Sequence, residues 1–245
     1  MLHGCATVPE TGRSQLLLVS SADVMQLSLS EFDKLKRSTP ISSDAEKKAL
    51  VERVGRRIAA VAPLPNAQWE FVLFDKPDVQ NAFALPGGKV GVYSGLLAVT
   101  QNEAGLATVM AHEVAHAVAR HGEERISQGL LVQLGGQALG AALRTQPETT
   151  QQLALGAFGV GSNVAYMLPH SRAQELEADR IGLAYMARAG YDPHEAVAFW
   201  KRFGSEKQKR GGKAGELLST HPLDEKRIAQ LESLMPEAVA EYQKA

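Results

Sequence analysis

One stretch combines residue types and spacing suited to metal chemistry: Ala111-His112-Glu113-Val114-Ala115-His116. Two histidines four apart on a helix project from one face, with Cβ atoms roughly 5–6 Å apart. Both imidazoles can then reach a single zinc ion. Glu113 stands beside them, where its carboxylate could take a proton from a zinc-activated water. The same residues also fit an ordinary amphipathic helix with two histidines on its polar face, so the rest of the chain must decide between the two.

A catalytic zinc takes three protein ligands and keeps one position open for water. After H-E-x-x-H the third ligand can be Glu, His or Asp from elsewhere. Glu175 and Asp179 are four apart in a helical stretch from Ser171 to about Ala189, so both point the same way. Glu175 could ligate zinc while Asp179 holds a ligand histidine by its other ring nitrogen, which would fix the tautomer and raise the ligand's basicity. Glu177 falls on another face and is the poorer ligand candidate. Alone, a Glu-x-x-x-Asp pair is also a common solvated surface pattern.

The elements that must position these residues follow from periodicity and from caps. Apolar residues from Asp23 to Arg37 predict a helix that Pro40 ends. Ser43-Asp44-Ala45-Glu46 reads as a capping box opening a second helix with Leu50, Val54 and Ile58 inward. Trp69–Phe74, Val79–Leu85 and Lys89–Tyr93 read as three short strands of a small antiparallel sheet, the last two joined at Pro86-Gly87-Gly88. Either that glycine pair makes a hairpin turn, or the backbone there approaches another group closely. Thr100-Gln101-Asn102-Glu103 reads as a capping box for the helix carrying His112, and His121-Gly122 as its end, which makes His121 a helix-terminal residue rather than a ligand.

Beyond it, 126–143 and 153–168 are rich in Leu, Gly and Ala and carry no charge. Each is short for a bilayer span and bears amide side chains, which favours buried helices over a hairpin leaning on a membrane surface. Gly136 and Gly140 have a spacing that permits close helix contact. Asp192-Pro193 opens a further helix with Phe199, Trp200 and Phe203 on its apolar face, 201–213 reads as a basic, solvated loop, and an amphipathic helix follows from Leu223 to Leu234. These elements make the fold α+β and mainly α, a small sheet packed on a helix bundle.

The 245 residues fit a tether over 1–22 and a single domain over 23–245. With 26 basic and 27 acidic side chains, no excess of positive charge supports nucleic-acid binding. One cysteine, Cys5, excludes internal disulfides and cysteine-based zinc fingers. Leu2-His3-Gly4-Cys5 resembles the end of a bacterial lipobox, although His3 departs from the small residue usual there and the basic and apolar parts of a signal do not precede it.

Together, His112-Glu113-Val114-Ala115-His116, Glu175-Leu176-Glu177-Ala178-Asp179 and Thr220-His221-Pro222 with Arg227-Ile228 resemble, in order and spacing, the family 48 metallopeptidases. Asn81, Pro86-Gly87-Gly88 and Gly95-Leu96-Leu97 fit the same pattern, and the likeness covers roughly 45–235. It is greatest to the family's soluble periplasmic lipoprotein members of Gram-negative bacteria. The resemblance implies a gluzincin-like fold, one catalytic zinc on His112, His116 and Glu175, Glu113 as general base, and Asp179 as partner of a ligand histidine.

The resemblance also places His221 near the site, either stabilising the oxyanion or closing the fourth zinc position at rest; a capping or core histidine before Pro222 is the plainer alternative. It further implies a periplasmic lipoprotein anchored to the outer membrane through Cys5. Such an enzyme would cleave misfolded or unassembled envelope proteins, outer-membrane proteins among them, laid out along the Lys89–Tyr93 strand. The family's multi-span members carry transmembrane helices not evident here, so prenyl-protein substrates are not carried over. A different class of function, an assembly chaperone or adaptor with a latent metal site, fits the same features.

Overall fold

A computed structural model describes residues 4–209 and 216–245. The helix bearing His112, α4 (Glu103–Val118), is buried on every side from Gly105 to Val118, as befits a helix apolar all round. Around it lie α2 (Ala45–Val61), α7 (Leu168–Arg188), α8 (His194–Lys209) and a three-stranded sheet of β3 (Glu70–Phe74), β4 (Ala82–Leu85) and β5 (Lys89–Tyr93). Val54 and Ile58 of α2, Val109 and Met110 of α4, Tyr185 of α7 and Phe199 and Trp200 of α8 meet in one core. On the sheet's other side, Phe32 of α1 (Ser21–Ser38) packs edge-on against Phe74 and Phe83. The short α3 (Ser94–Thr100) links the sheet to α4, and α10 (Glu225–Tyr242) closes over α7 and α8.

The sheet is small, as expected, but mixed rather than antiparallel. Its order is β3-β5-β4. β4 and β5 form the expected antiparallel hairpin, with Gly87 at φ +86° and Gly88 at φ +84°, the left-handed conformation that glycine tolerates. β3, however, runs parallel to β5, pairing Glu70 with Lys89 through Phe74 with Tyr93. β4 begins at Ala82, three residues later than its pattern suggested, so the 75–81 connection is long enough to pass the strand end and leave β5 in the centre. Both edges of β5 are therefore occupied, and Lys89–Tyr93 cannot accept a further strand as anticipated. β3 and β4 are the edge strands, β3 carrying an isolated bridge from Phe74 to Ile41 on its outer side.

Other corrections are local. Asp44 rather than Ser43 caps α2, accepting from the Lys47 amide, and Asn102 rather than Thr100 caps α4, accepting from the Gly105 amide. The α4 helix stops at Val118. Arg120 then takes a left-handed φ of +60°, and His121 begins α5 (His121–Ala142) instead of ending α4. α5 and α6 (Glu148–Ser162) pair with each other, but they are not buried helices: Leu134 is 58% exposed and Leu153 76%. Gly136 does lie against Phe158 there, whereas Gly140 faces open space. Residues 201–209 of the supposed loop are helical; its remainder to Lys213 lies outside the described residues. No described helix is long and apolar enough to cross a membrane.

The approach of α7 to α4 depends on Gly182. A Cβ there would lie 3.0 Å from both the Cα and the N of His112 and 3.1 Å from the Ala111 carbonyl carbon. These are backbone atoms that cannot swing aside, so a methyl group forces the helices apart. Gly182→Ala should therefore cost about 1–3 kcal/mol in denaturant unfolding. Gly122→Ala, whose Cβ meets nothing within 4 Å, should be neutral or gain up to ~1 kcal/mol from helix propensity.

Candidate metal centre

Three elements bring the sequence-predicted residues together. α4 presents His112, Glu113 and His116, α7 presents Glu175 and Asp179, and the turn between α9 (Glu216–Thr220) and α10 presents His221. One donor atom each from His112, His116, Glu175 and His221 lies within 4.8 Å of all the others. The Nε2 atoms of His112 and His116 are 3.2 Å apart, and each lies 3.3–3.4 Å from an oxygen of Glu175. His221 Nδ1 sits 3.0 Å from Glu175 Oε1 and 3.3 Å from His112 Nε2, while its Nε2 lies 3.2 Å from Glu113 Oε1. Two or three imidazole nitrogens with one carboxylate, converging on one point, are a donor set suited to a borderline divalent ion such as zinc.

Behind His112, Nδ1 lies 3.0 Å from Asp179 Oδ1. Asp179 in turn accepts from Arg227 Nε at 2.6 Å and Nη2 at 2.7 Å. Arg227 is 2% exposed, lies 3.2 Å from Glu175 Oε2, stacks over Trp200 at 4.5 Å, and donates to the carbonyls of His221 and Pro222. One guanidinium thus touches two acidic residues of the site and the turn carrying His221. A single arginine about fifty residues from its carboxylate partners leaves no local signature of its role in the sequence.

Behind His116 stands a group that the sequence reading misassigned. His121 is fully buried, its Nδ1 2.7 Å from His116 Nδ1 and its Nε2 2.9 Å from Glu177 Oε2. Glu177 does not join the donor cluster, in keeping with its different helix face, but it reaches the site through His121. The signal available in sequence was a histidine five residues beyond His116. His121 is not among the cluster's donors, as expected, but it begins α5 rather than ending α4.

Burial dominates the electrostatics and the charge partners then decide the outcome. Burial disfavours a charge on His116, and the neighbouring His112 reinforces this, so His116 titrates well below the usual imidazole range and is neutral, as a ligand must be. Burial likewise depresses His121 despite Glu177. His112 goes the other way: burial opposes its charge, but the carboxylates of Asp179 and Glu175 overcome that and push it up to about 9. Burial raises Glu175 and Asp179, yet His112 and His221 around the first, and Arg227 with His112 around the second, hold both below the ordinary carboxylate range.

A cation entering this cluster must displace the His112 proton. In the metal-free protein that imidazole is charged below about 9 and neutral above it. Zinc affinity should consequently rise as pH increases from 6 towards 9, roughly tenfold per unit, and level off above. Calorimetry at pH 7 in buffers of different ionisation enthalpy should register close to one proton released per zinc. Affinity flat across that range would mean His112 is not the group displaced.

Cavities flank the cluster on two sides. One of about 260 Å³ lies between α1, β4 and the α4–α5 junction, lined by Leu27, Leu85, Pro86, His116 and Arg120 among others. Another, of about 820 Å³, lies between α7 and the start of α10, lined by Arg172, Glu175, Pro222 and Arg227 among others.

Residues 45–235 match peptidase family M48. The mitochondrial metalloendopeptidase OMA1 of Schizosaccharomyces pombe is 40% identical over 188 residues, covering 77% of this chain and 53% of that protein. OMA1 of Saccharomyces cerevisiae is 38% identical over 74% of this chain and 51% of its own length. The β-barrel assembly-enhancing protease of Escherichia coli K12 is 30% identical over 91% of this chain and 46% of its own. The chain thus spans about half the length of these relatives.

Proposed function

The chain belongs to peptidase family M48, and on that premise we propose that it is a zinc-dependent endopeptidase. The observation that carries this reading is the convergence of His112, His116 and Glu175 donor atoms on one point, with the Glu113 carboxylate facing the same space. Zinc, when held there, supplies the Lewis acidity that activates water and polarises a scissile carbonyl. Glu113 accepts the proton of the attacking water and passes it to the leaving amine. Asp179 keeps His112 oriented, and Arg227 keeps Asp179 ionised and in place. An extended substrate fits along β4, whose outer side borders the cavity reaching His116.

His221 Nδ1 lies beside the donor atoms of Glu175 and His112, where it would offer a bound ion a fourth donor; this supports a resting site closed by its own histidine. Substrate carbonyl oxygen would then compete with the His221 imidazole for that position, and the displaced ring would lie close enough to donate a hydrogen bond to the developing oxyanion.

The Escherichia coli relative is named for β-barrel assembly, which favours misfolded or unassembled outer-membrane proteins of the periplasm. The fungal relatives are named as mitochondrial, so family membership by itself selects no compartment. Cys5 is free and exposed, available for a lipid anchor. If it is one, incorporation of labelled fatty acid in a Gram-negative host should vanish in Cys5→Ser while the zinc content of the protein is unchanged.

The main test is Glu113→Gln. Purified variant should retain one zinc per chain and lose at least about a thousandfold in cleavage of an unfolded protein such as casein. Full activity without the carboxylate would overturn the mechanism. In cells, the same variant separates cleavage from an assembly-adaptor role, because an adaptor would still complement.

A further inference from the structure

The two metal-facing histidines are both backed by carboxylates of α7, but the one behind His116 is held by a segment far outside the family match. Residues Cys5–Thr7 and Ser14–Leu16 form a two-stranded antiparallel ribbon. Val8 and Leu17 bury it, Gln15 Nε2 donates to the Ala119 carbonyl at 3.0 Å, and the Leu18 amide donates to Ser127 Oγ at 2.9 Å. This moors the ribbon against the α4–α5 junction. From its turn, Arg13 Nε donates to Glu177 Oε2 at 2.8 Å, and its two Nη atoms donate to the two oxygens of Glu124, each at 2.8 Å. The Thr11 hydroxyl donates to Glu177 Oε1. Neither Thr11 nor Arg13 falls within the 45–235 family match.

We propose that this N-terminal ribbon is a working part of the metal centre, with Arg13 acting through Glu177 and His121 to position His116 as a ligand. The inference rests on the metallopeptidase reading and extends it. Its logic is the polarity of a hydrogen-bond chain. A carboxylate can only accept, so Glu177 takes its hydrogen bond from His121 Nε2. The 2.7 Å contact between the two Nδ1 atoms holds one proton, and an imidazole that is to ligate through Nε2 must be its donor, so His116 Nδ1 donates and His121 Nδ1 accepts. That leaves the His116 Nε2 lone pair facing the metal position. Were the chain reversed, His116 Nε2 would carry a proton and could not bind a metal.

Glu177 can impose this direction only if it stays in place as an acceptor. The bonds from Arg13 and Thr11 engage both of its oxygens and fix its rotamer. Glu124, at the other end of the guanidinium, is itself held by Gln174 Nε2 at 2.8 Å. Arg13 is therefore a positioning residue whose effect arrives at the metal through two intermediaries.

The experiment compares full-length wild type with Arg13→Ala, Arg13→Lys, Glu177→Gln and the control Arg53→Ala, which removes an exposed ion pair to Glu103 instead. Zinc Kd is measured by competition with a chromogenic chelator, and the His116 tautomer by nitrogen NMR of the imidazoles in the metal-free protein. Arg13→Ala and Glu177→Gln should weaken zinc binding about ten- to a hundredfold and mix the His116 tautomers, Arg13→Lys should fall between, and Arg53→Ala should match wild type.

Glu177→Gln keeps the side-chain size but lets an amide nitrogen face His121, so it tests the polarity even if Arg13→Ala unfolds. Zinc affinity and His116 tautomer unchanged in Glu177→Gln, or a lowered metal-free Tm with unchanged zinc Kd, would overturn the proposal while leaving the metallopeptidase reading intact. A wild type that binds no stoichiometric zinc would overturn that reading, and this inference with it.

Discussion

Two carboxyl groups, Glu175 and Asp179, are buried to 4% exposure or less against one guanidinium, that of Arg227. Buried charges are tolerated only when paired, because removing a partner leaves a cost of roughly 3–5 kcal/mol. With neutral histidines, these two carboxylates against one arginine leave one negative charge in excess. The carboxylates of Asp179 and Glu175 outweigh burial at His112 and push it up to about 9, so a proton there offsets that excess. Metal binding, proton release and stability are thus one linked quantity. The raised His112 pKa stabilises the metal-free fold most below the ordinary imidazole value of about 6.5, and that contribution is lost as pH rises through about 9. A divalent ion held by the cluster would supply its replacement in the range where the proton leaves.

The same helix, α7, serves both imidazoles in different ways, and helical geometry explains the difference. Residues four apart, Glu175 and Asp179, lie on one face, so one reaches the donor point and the other reaches the back of His112. Glu177, two residues along, is rotated by about 200° and cannot follow them. It meets His116 only through an interposed imidazole. His121 can fill that gap because the chain reverses at the left-handed Arg120 and starts a new helix directly beside the old one.

What was legible in the sequence tracks what is local. His112, Glu113, His116, Glu175 and Asp179 could be picked out because i, i+4 spacing is a property of one helix, and β5 was read to the residue because β-branched residues and a glycine turn bound it. The parallel pairing of β3 was not legible, since nothing in a strand's own composition says which neighbour takes its edge. Caps slipped by one or two residues where Ser43 or Thr100 competed with Asp44 or Asn102 for the same role. The α5–α6 pair was read as buried from apolar composition. In the fold, burial on α5 follows attachment to the site: His121, Glu123, Glu124, Ser127 and Gln128 are buried, mostly polar, while Leu134 farther out is exposed. The roles of Arg13 and Arg227 are not legible in the sequence because their partners lie 164 and 48 residues away.

Arg227 also bears on how a closed site would open. Its Nη1 donates at 3.4 and 3.1 Å to the carbonyls of His221 and Pro222, while Nε and Nη2 hold Asp179. The two sets of bonds use different nitrogens, so the turn can withdraw without releasing the carboxylate behind His112. Ordinary hydrogen bonds contribute about 0.5–1.5 kcal/mol each, which puts the turn's own tether at a few kcal/mol. A substrate strand laid along β4 gains main-chain hydrogen bonds of the same size, several at once. Binding along an edge some distance from the metal can therefore supply what withdrawal of His221 costs, and a peptide too short to engage that edge cannot.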